Sequence, residues 1–210
     1  LPLNSYFCFF YYFALEYLLD IIIKGYYKLA ATTTEAFTDA GNPNGWFRSG
    51  DIGQWLENGT LQIIDRKKNL VKTSFGEYIA FEKLESVARN SPYVNNVCVY
   101  ADSLQSFAVC IVTPNEHALV RDLKPSEPLA GPALCSSKAA EDFVLKSIAK
   151  VSQAAKLKPF EIVKNVRLVH EEWTPEDGIL SSAGKIKRNV VKERYAELLD
   201  SMYAQGERRV

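Results

Sequence analysis

Residues Ile64–Tyr78 read Ile-Asp-Arg-Lys-Lys-Asn-Leu-Val-Lys-Thr-Ser-Phe-Gly-Glu-Tyr, and they separate two differently patterned parts of the chain. An apolar run typical of a β-strand ends at Asp65, and basic side chains then follow closely. Gly76 marks a turn before the next helical pattern begins. By itself such a charge run indicates a solvated linker between two elements. Whether the stretch has a function beyond linking depends on other segments of the chain.

Two other segments accompany this stretch. Gly45–Asp51 reads Gly-Trp-Phe-Arg-Ser-Gly-Asp, and Leu180–Arg188 reads Leu-Ser-Ser-Ala-Gly-Lys-Ile-Lys-Arg. In this order and at this separation, the three segments resemble the adenylate-forming enzymes, and among those the long-chain fatty-acyl-CoA synthetases. The resemblance covers nearly the whole chain, from residue 22 to residue 204.

The resemblance implies a division of the chain into domains. Residues 22–65 are expected to be the β-rich C-terminal end of a large AMP-binding domain, and residues 66–210 a small, mobile C-terminal domain. Strand and helix patterns mix in the second part without strict alternation, which by itself predicts an α+β fold. The family fold implies a short antiparallel sheet with flanking helices.

Local patterns predict the individual elements of this fold. Asn58-Gly59 between two apolar runs is a strong hairpin signal. Phe81, Leu84, Val87 and Ala88 recur at helical spacing and predict a helix, which Asn90-Ser91-Pro92 ends. The remaining predictions are a helix at 32–37, strands at 97–100, 107–112 and 160–169, a loop at 124–137, and helices that begin near Ser137 and Lys187.

Composition bounds the kind of protein. The chain has 210 residues, of which 47% are hydrophobic, which is enough for a core, and its formal net charge is zero. No global field therefore favours nucleic acid as a partner. Four cysteines without a CxxC spacing and only two histidines indicate free thiols in a reducing compartment, and no metal site is expected.

The N-terminal segment is the part that departs from the family pattern. Residues 6–23 are dense in aromatic and aliphatic side chains and nearly reach the ~20 residues that span a bilayer. Glu16 and Asp20 oppose insertion, since a carboxylate in the bilayer costs roughly a few kcal/mol. The family implies a short glycine-bearing strand here, which the sequence does not show. Residues 1–21 are therefore unmatched, and both a membrane segment and a wrongly joined terminus stay open; Leu1 in place of Met suggests a fragment.

Asp51 and Arg66 are the candidate nucleotide-binding residues. A carboxylate that follows a glycine can accept two hydrogen bonds from a ribose diol, or can merely satisfy the amides of its own turn. The residue pattern alone favours the second reading. The resemblance matches Asp51 to the ribose-binding aspartate of the family, and Arg66 to the arginine that reaches the ribose or phosphate.

Lys68 and Gly76 are matched to moving parts of the family. Lys68 falls at the hinge position, where the main chain rotates to exchange the two faces of the small domain. Gly76 lies in a segment that resembles the loop closing on the pantetheine arm of CoA, and a glycine lets backbone approach a ligand closely. Without the resemblance, Lys68 is an ordinary surface lysine and Gly76 a turn before a helix.

Lys185 is the candidate catalytic residue. Small side chains precede it in Ser181–Gly184, and an ammonium group suits the charge that grows between a carboxylate and an α-phosphate. The resemblance matches Lys185 to the adenylation lysine of the family. The alternative reading is the basic start of a solvated helix.

The resemblance implies the function of a long-chain fatty acid–CoA ligase. ATP, Mg²⁺ and CoA would take part, with a fatty acid as substrate. A glycine-rich phosphate loop and a fatty-acid tunnel are absent from this sequence, so the isolated chain is expected to be inactive and to need a large N-terminal domain. Peripheral attachment to the cytoplasmic face of a membrane, of the endoplasmic reticulum or the peroxisome, is a further expectation.

Two other classes of function stay open. One is a different adenylate-forming ligase, although Asp65–Asn69 and Gly76–Tyr78 favour the long-chain branch. The other is a non-catalytic interaction module that Tyr6–Ile23 tethers to a membrane.

Overall fold

A computed structural model describes residues 13–18, 25–37, 46–125 and 129–208. Two compact units divide the chain, Leu1–Leu70 and Val71–Val210. The boundary between them lies five residues after Asp65, where the sequence prediction placed the end of the first domain. That domain assignment itself stays a prediction.

The strands are β1 (Phe13–Leu18), β2 (Trp46–Trp55), β3 (Leu61–Arg66), β4 (Leu70–Lys72), β5 (Tyr78–Ala80), β6 (Val94–Tyr100), β7 (Val109–Pro114) and β8 (Asn165–Leu168). The helices are α1 (Ala30–Ala36), α2 (Phe81–Ala88), α3 (Glu116–Leu123), α4 (Gly131–Cys135), α5 (Lys138–Ala154), α6 (Arg188–Arg194) and α7 (Ala196–Ala204). Short 3₁₀ turns form at Lys67–Asn69 and Pro159–Glu161. The α+β prediction is confirmed.

The first unit contains an antiparallel sheet in the order β1-β2-β3. The predicted hairpin is present: the Leu56 amide donates to the Thr60 carbonyl at 2.8 Å, and Gly59 has φ +78°. Asn-Gly favours such a turn because glycine adopts a positive φ without steric cost. The hairpin brings the residues of β2 and β3 into register.

The unmatched N-terminal segment contributes a strand that the sequence analysis did not find. β1 pairs antiparallel with β2, from Phe13 opposite Gly53 to Leu18 opposite Trp46. β1 lies at the edge of the sheet, so pairing with β2 gives partners to the backbone polar groups on one side of the strand. Residues 1–12 and 19–24 lie outside the described residues. No helix in the described ranges is long and apolar enough to cross a bilayer.

The second unit is built on the sheet β6-β7-β8, which has helices on both faces. β6 and β7 are antiparallel, as expected, and β8 adds to β7 in parallel. All six residues of β7 are buried, so the strand presents apolar side chains in both directions. One face packs on α2 and α5, and the other on α6 and α7.

Three element predictions need correction in this unit. The predicted loop at 124–137 contains α4, while residues 126–128 lie outside the described part. The predicted strand 160–169 is a strand only over β8, because a 3₁₀ turn precedes it. The predicted C-terminal helix is two helices that break at Tyr195, which has φ −112° and ψ +25°.

Candidate functional site

Asp51 and Arg66 lie opposite each other on β2 and β3. Arg66 Nε is 3.5 Å from Asp51 Oδ1, and the side chains are 55% and 28% exposed respectively. An ion pair this open to water contributes at most about 1 kcal/mol to stability, so it does not oppose a competing ligand strongly. The pair therefore offers an accessible carboxylate beside an accessible guanidinium.

Asp65, which the sequence analysis did not single out, shapes the backbone next to this pair. Its buried carboxylate accepts from the Arg66 amide at 2.6 Å and from Asn69 Nδ2 at 3.1 Å. These bonds close the 3₁₀ turn Lys67–Asn69. Aspartate side chains commonly accept from nearby backbone amides at turns, so the presence of Asp65 before this turn was a signal available in the sequence.

Lys68 is exposed on that 3₁₀ turn, two residues before the boundary between the compact units. An open recess of about 530 Å³ lies beside it within the first unit. Among the residues that the structure describes, the recess is lined by Ser49, Gly50, Arg66, Lys67 and Lys68. Three cationic side chains around one recess favour an anionic ligand. The hinge role of Lys68 stays a prediction.

Gly76 lies in a three-residue hairpin loop at the start of the second unit. The Thr73 amide donates to the Glu77 carbonyl at 2.8 Å, and the Gly76 amide donates to the Thr73 carbonyl at 2.9 Å. Gly76 has φ +84°, the left-handed value that this kind of loop requires. The neighbouring Phe75 side chain is 79% exposed and thus does not anchor the loop in the core.

Lys185 ends a loop of the same construction. The Ser181 amide donates to the Lys185 carbonyl at 2.8 Å, and the Gly184 amide donates to the Ser181 carbonyl at 2.8 Å. Gly184 has φ +71°. The Lys185 amide also donates to Ser181 Oγ at 3.1 Å. The backbone of Lys185 is thereby held, while its side chain is exposed to solvent.

A buried ion pair close to Lys185 was missed by the sequence analysis. Arg188 Nη1 donates to Glu85 Oε1 at 2.6 Å, although the two residues are 103 positions apart. Glu85 lies beside Leu84 on the otherwise apolar side of α2. A carboxylate at such a position indicates a buried partner, because an unpaired buried charge is costly. The identity of the partner is not readable from the sequence.

The cysteines in the described ranges are buried, and burial raises the pKa of their thiols. Cys98, Cys110 and Cys135 are free and buried. Burial raises the pKa of Cys98 to about 12 and that of Cys135 to about 11, which keeps both thiols protonated. Within the described ranges, no three His, Cys, Asp or Glu side chains lie close enough to hold a metal ion.

The structure thus brings some of the predicted site residues together. Asp51 and Arg66 form one pair in the first unit, with Lys68 on the recess beside them. Gly76 and Lys185 lie on two hairpin loops of the second unit. The roles assigned to all five residues stay predictions.

Comparison with known proteins shows that the chain is similar to part of long-chain fatty-acid–CoA ligases. Long-chain-fatty-acid–CoA ligase 1 of Schizosaccharomyces pombe is 39% identical over 189 residues, which are 88% of this chain and 27% of the relative. Fatty acyl-CoA synthetase A of Dictyostelium discoideum is 42% identical over 191 residues, which are 89% of this chain and 28% of the relative. No protein-family model matches the chain.

Adenylate-forming enzymes are among the solved structures that share this fold. The A domain of carboxylic acid reductase from Segniliparus rugosus, in complex with AMP and a co-purified carboxylic acid, aligns with a TM-score of 0.74 and 32% identity. The alignment covers 88% of this chain and 27% of that protein. MatB from Rhodopseudomonas palustris, bound to ATP, aligns with a TM-score of 0.51 at 22% identity and supports the fold alone.

These relationships confirm the resemblance drawn from the three segments. The chain is related to long-chain fatty-acyl-CoA synthetases and has the fold of the corresponding part of adenylate-forming enzymes. It spans about a quarter of the length of the curated relatives that it matches.

Proposed function

We propose, from its relationship to one part of the long-chain fatty-acyl-CoA synthetases, that this chain is the C-terminal quarter of an ATP-dependent fatty acid–CoA ligase. In the first half-reaction a fatty carboxylate attacks the α-phosphorus of ATP, forming acyl-adenylate and releasing pyrophosphate. In the second, the sulfur of CoA attacks the acyl carbon and AMP leaves. The isolated chain is expected to catalyse neither step.

The observation that carries the proposal is the position of Asp51 opposite Arg66. An ionised carboxylate can accept from both hydroxyls of a ribose diol, and a guanidinium can donate to the ribose or to phosphate oxygens. The hairpin places these two groups 3.5 Å apart at an accessible surface. The charged recess lined by Arg66, Lys67 and Lys68 adds positive potential for a phosphate.

Lys185 and Gly76 would serve the two half-reactions in turn. In one pose of the small domain, the Lys185 ammonium would offset the negative charge that develops as the carboxylate meets the α-phosphate. In the other pose, the Gly76 hairpin would lie along the pantetheine arm, where a residue without Cβ permits close approach. Rotation about Lys68 would exchange the two poses.

The partners that follow are ATP, CoA and a long-chain fatty acid. Mg²⁺ would accompany ATP and would supply electrostatic stabilisation of the phosphates. Within the described ranges, no group of three or more His, Cys, Asp or Glu side chains could hold the ion. Peripheral attachment to the cytoplasmic face of a membrane stays a separate expectation.

The test of the proposal is nucleotide affinity in a full-length ligase that carries this chain at the matching position. Asp51→Asn keeps the shape of the side chain and removes its charge. Hydrogen bonds to charged groups contribute about 1.5–3 kcal/mol, so the KM for ATP should rise roughly ten- to hundredfold. Glu57→Gln, an exposed residue at the tip of the same hairpin, is the matched control.

An unchanged KM for ATP in Asp51→Asn would contradict the proposed ribose contact. Equal increases in Asp51→Asn and Glu57→Gln would attribute the effect to net charge and would contradict it as well. Absence of fatty-acid-dependent ATP–pyrophosphate exchange in the unsubstituted enzyme would refute the ligase function itself.

A further inference from the structure

We infer that Arg188 is a positioning residue that fixes the Lys185 hairpin and the Gly76 hairpin to one buried point of the small unit. The inference rests on the proposed function only for what the two hairpins do. The location of Arg188 and its contacts are independent of that function.

Arg188 is the first residue of α6, and its guanidinium points into the unit. The Arg188 side chain is 20% exposed and that of Glu85 is 7% exposed. Nη1 donates to Glu85 Oε1 at 2.6 Å and to the Val99 carbonyl at 2.7 Å, and Nη2 lies 3.2 Å from Glu85 Oε2. A forked, largely buried contact of this kind holds the guanidinium in one geometry.

The segment between Arg188 and the Lys185 hairpin is short, and contacts fix the backbone on both sides of the hairpin. Only Ile186 and Lys187 separate Arg188 from Lys185, so their Cα atoms are at most about 10 Å apart. At the other end of the hairpin, Ile179 is completely buried, and its carbonyl accepts from the Lys187 amide at 2.7 Å. The Arg188 contacts thus fix the backbone position from which the exposed Lys185 side chain extends.

The same guanidinium also contacts the helix that follows the Gly76 hairpin. Its Cζ lies 4.5 Å from the centre of the Phe81 ring, and Phe81 is the first residue of α2. The strand β5, Tyr78–Ala80, connects the Gly76 hairpin directly to Phe81. Glu85 lies one helical turn further along α2. One arginine therefore ties together the segments that carry both hairpins.

The arrangement requires arginine specifically. A guanidinium offers five donors in a planar fork, so it can meet both oxygens of Glu85 and the Val99 carbonyl at once. Lysine would keep the charge that Glu85 needs but would lose this geometry. Arg188→Lys therefore tests the geometry of the contact, because the buried Glu85 carboxylate keeps a cationic partner.

The matched control is Arg208→Lys. Arg208 is 15% exposed and donates to Glu141, whose side chain is 6% exposed, so the substitution makes the same chemical change at a comparably buried ion pair. Arg208 pairs with α5 and contacts neither hairpin in the described hydrogen bonds.

The first measurement is hydrogen exchange of the hairpin amides in the 210-residue chain. In Arg188→Lys, the amides of Gly76, Ser181 and Gly184 should exchange several-fold faster, and in Arg208→Lys they should not. Unchanged exchange in Arg188→Lys, or equal acceleration in both variants, overturns the inference. If Arg188→Lys does not fold, Glu85→Gln is measured in its place, because it keeps an acceptor for Arg188 while removing the charge.

The second measurement is the rate of each half-reaction in the full-length ligase. Misplacement of a reacting group by about 1 Å can cost about a hundredfold, so Arg188→Lys should slow both half-reactions by about 10- to 100-fold. Its KM for ATP should not change, because Asp51 and Arg66 belong to the other unit. Arg208→Lys should leave both rates nearly unchanged, because the described hydrogen bonds of Arg208 reach neither hairpin.

The two measurements separate the inference from the proposed function. Normal half-reaction rates in Arg188→Lys would overturn the positioning role even if the amides exchanged faster. If the unsubstituted ligase catalyses neither half-reaction, the proposed function fails, and amide exchange alone then decides whether Arg188 fixes the hairpins.

Discussion

Replacing Lys185 by alanine should disable one half-reaction and leave the fold intact. The hairpin that carries Lys185 is closed by backbone hydrogen bonds and by Ser181 Oγ, all of which alanine preserves. The lysine side chain is exposed. Substitutions at such surface positions usually change the free energy of unfolding by less than about 0.5 kcal/mol. A loss of rate can therefore be assigned to the missing charge.

The size of the loss follows from electrostatics. A unit charge about 4 Å from a developing negative charge, at an effective dielectric constant of about 20, contributes about 4 kcal/mol. Each 1.36 kcal/mol of transition-state stabilisation is about tenfold in rate, which gives roughly a thousandfold. Losing one preorganised contact typically costs about 10²–10³ in rate, which is the same range. We expect Lys185→Ala to slow acyl-adenylate formation by that factor.

The assay measures the half-reactions separately in the full-length ligase. Fatty-acid-dependent ATP–pyrophosphate exchange reports the first, and presynthesised acyl-adenylate supplied with CoA reports the second. Lys185→Ala should retain close to the normal rate of the second. Lys187→Ala removes an equal charge from an exposed lysine two residues away and should leave both rates nearly unchanged.

Either of two results would refute the reasoning. Equal slowing of both half-reactions by Lys185→Ala would show that the ammonium is not used in one pose only. A comparable loss in Lys187→Ala would show that the effect comes from the general positive charge of the segment and not from the position of Lys185.

Three further predictions concern other parts of the chain. Gly76→Leu should slow thioester formation more than adenylation, because the new side chain would intrude where the pantetheine arm is proposed to approach the hairpin. The left-handed φ of +84° adds about 1–2 kcal/mol of backbone strain, and equal effects in the two half-reaction assays would contradict the prediction. Deleting residues 1–20 removes β1 and should leave the thermal midpoint of the unit Val71–Val210 unchanged in calorimetry, because β1 pairs with β2 inside the first unit. Burial raises the pKa of Cys98 to about 12, so iodoacetamide should alkylate this thiol far more slowly in the native chain than in the unfolded chain, and faster as pH rises toward 12. Rapid labelling of the native chain at pH 8, measured by peptide mass spectrometry, would contradict the burial.

Local chemistry was enough to predict the turns and the individual elements near them. The hairpin at Asn58-Gly59 follows from residues that are adjacent in sequence, as does the turn at Gly76. The left-handed turn at Gly184 was not predicted. The helix α2 follows from apolar side chains at helical spacing, with Phe81 and Leu84 buried as that spacing requires. In each case the residues that determine the structure lie within a few positions of one another.

The arrangement of the site depended on contacts between distant residues. Near the turn Gly53 pairs with Ile63, but the register shifts by one residue between Gly53 and Ile52, and only this shift sets Asp51 opposite Arg66. The 3.5 Å separation of their side chains therefore appears only in the paired strands. The parallel pairing of β7 with β8 joins Val109 to Asn165 across an intervening stretch of three helices. No local pattern specifies the direction in which such a strand returns.

The break of the C-terminal helix and the anchoring of Lys185 have the same origin. At the break, the Tyr195 hydroxyl donates to Glu171 at 2.9 Å and accepts from Trp173 Nε1 at 3.3 Å. The residue at which the helix ends is thus hydrogen-bonded to residues that lie outside the helix. Arg188 meets Glu85 across 103 residues. Turns and helix faces are determined within a few residues, and therefore the sequence reveals them. Which buried charge meets which partner is determined only when the whole core closes, since many pairings satisfy the same local pattern.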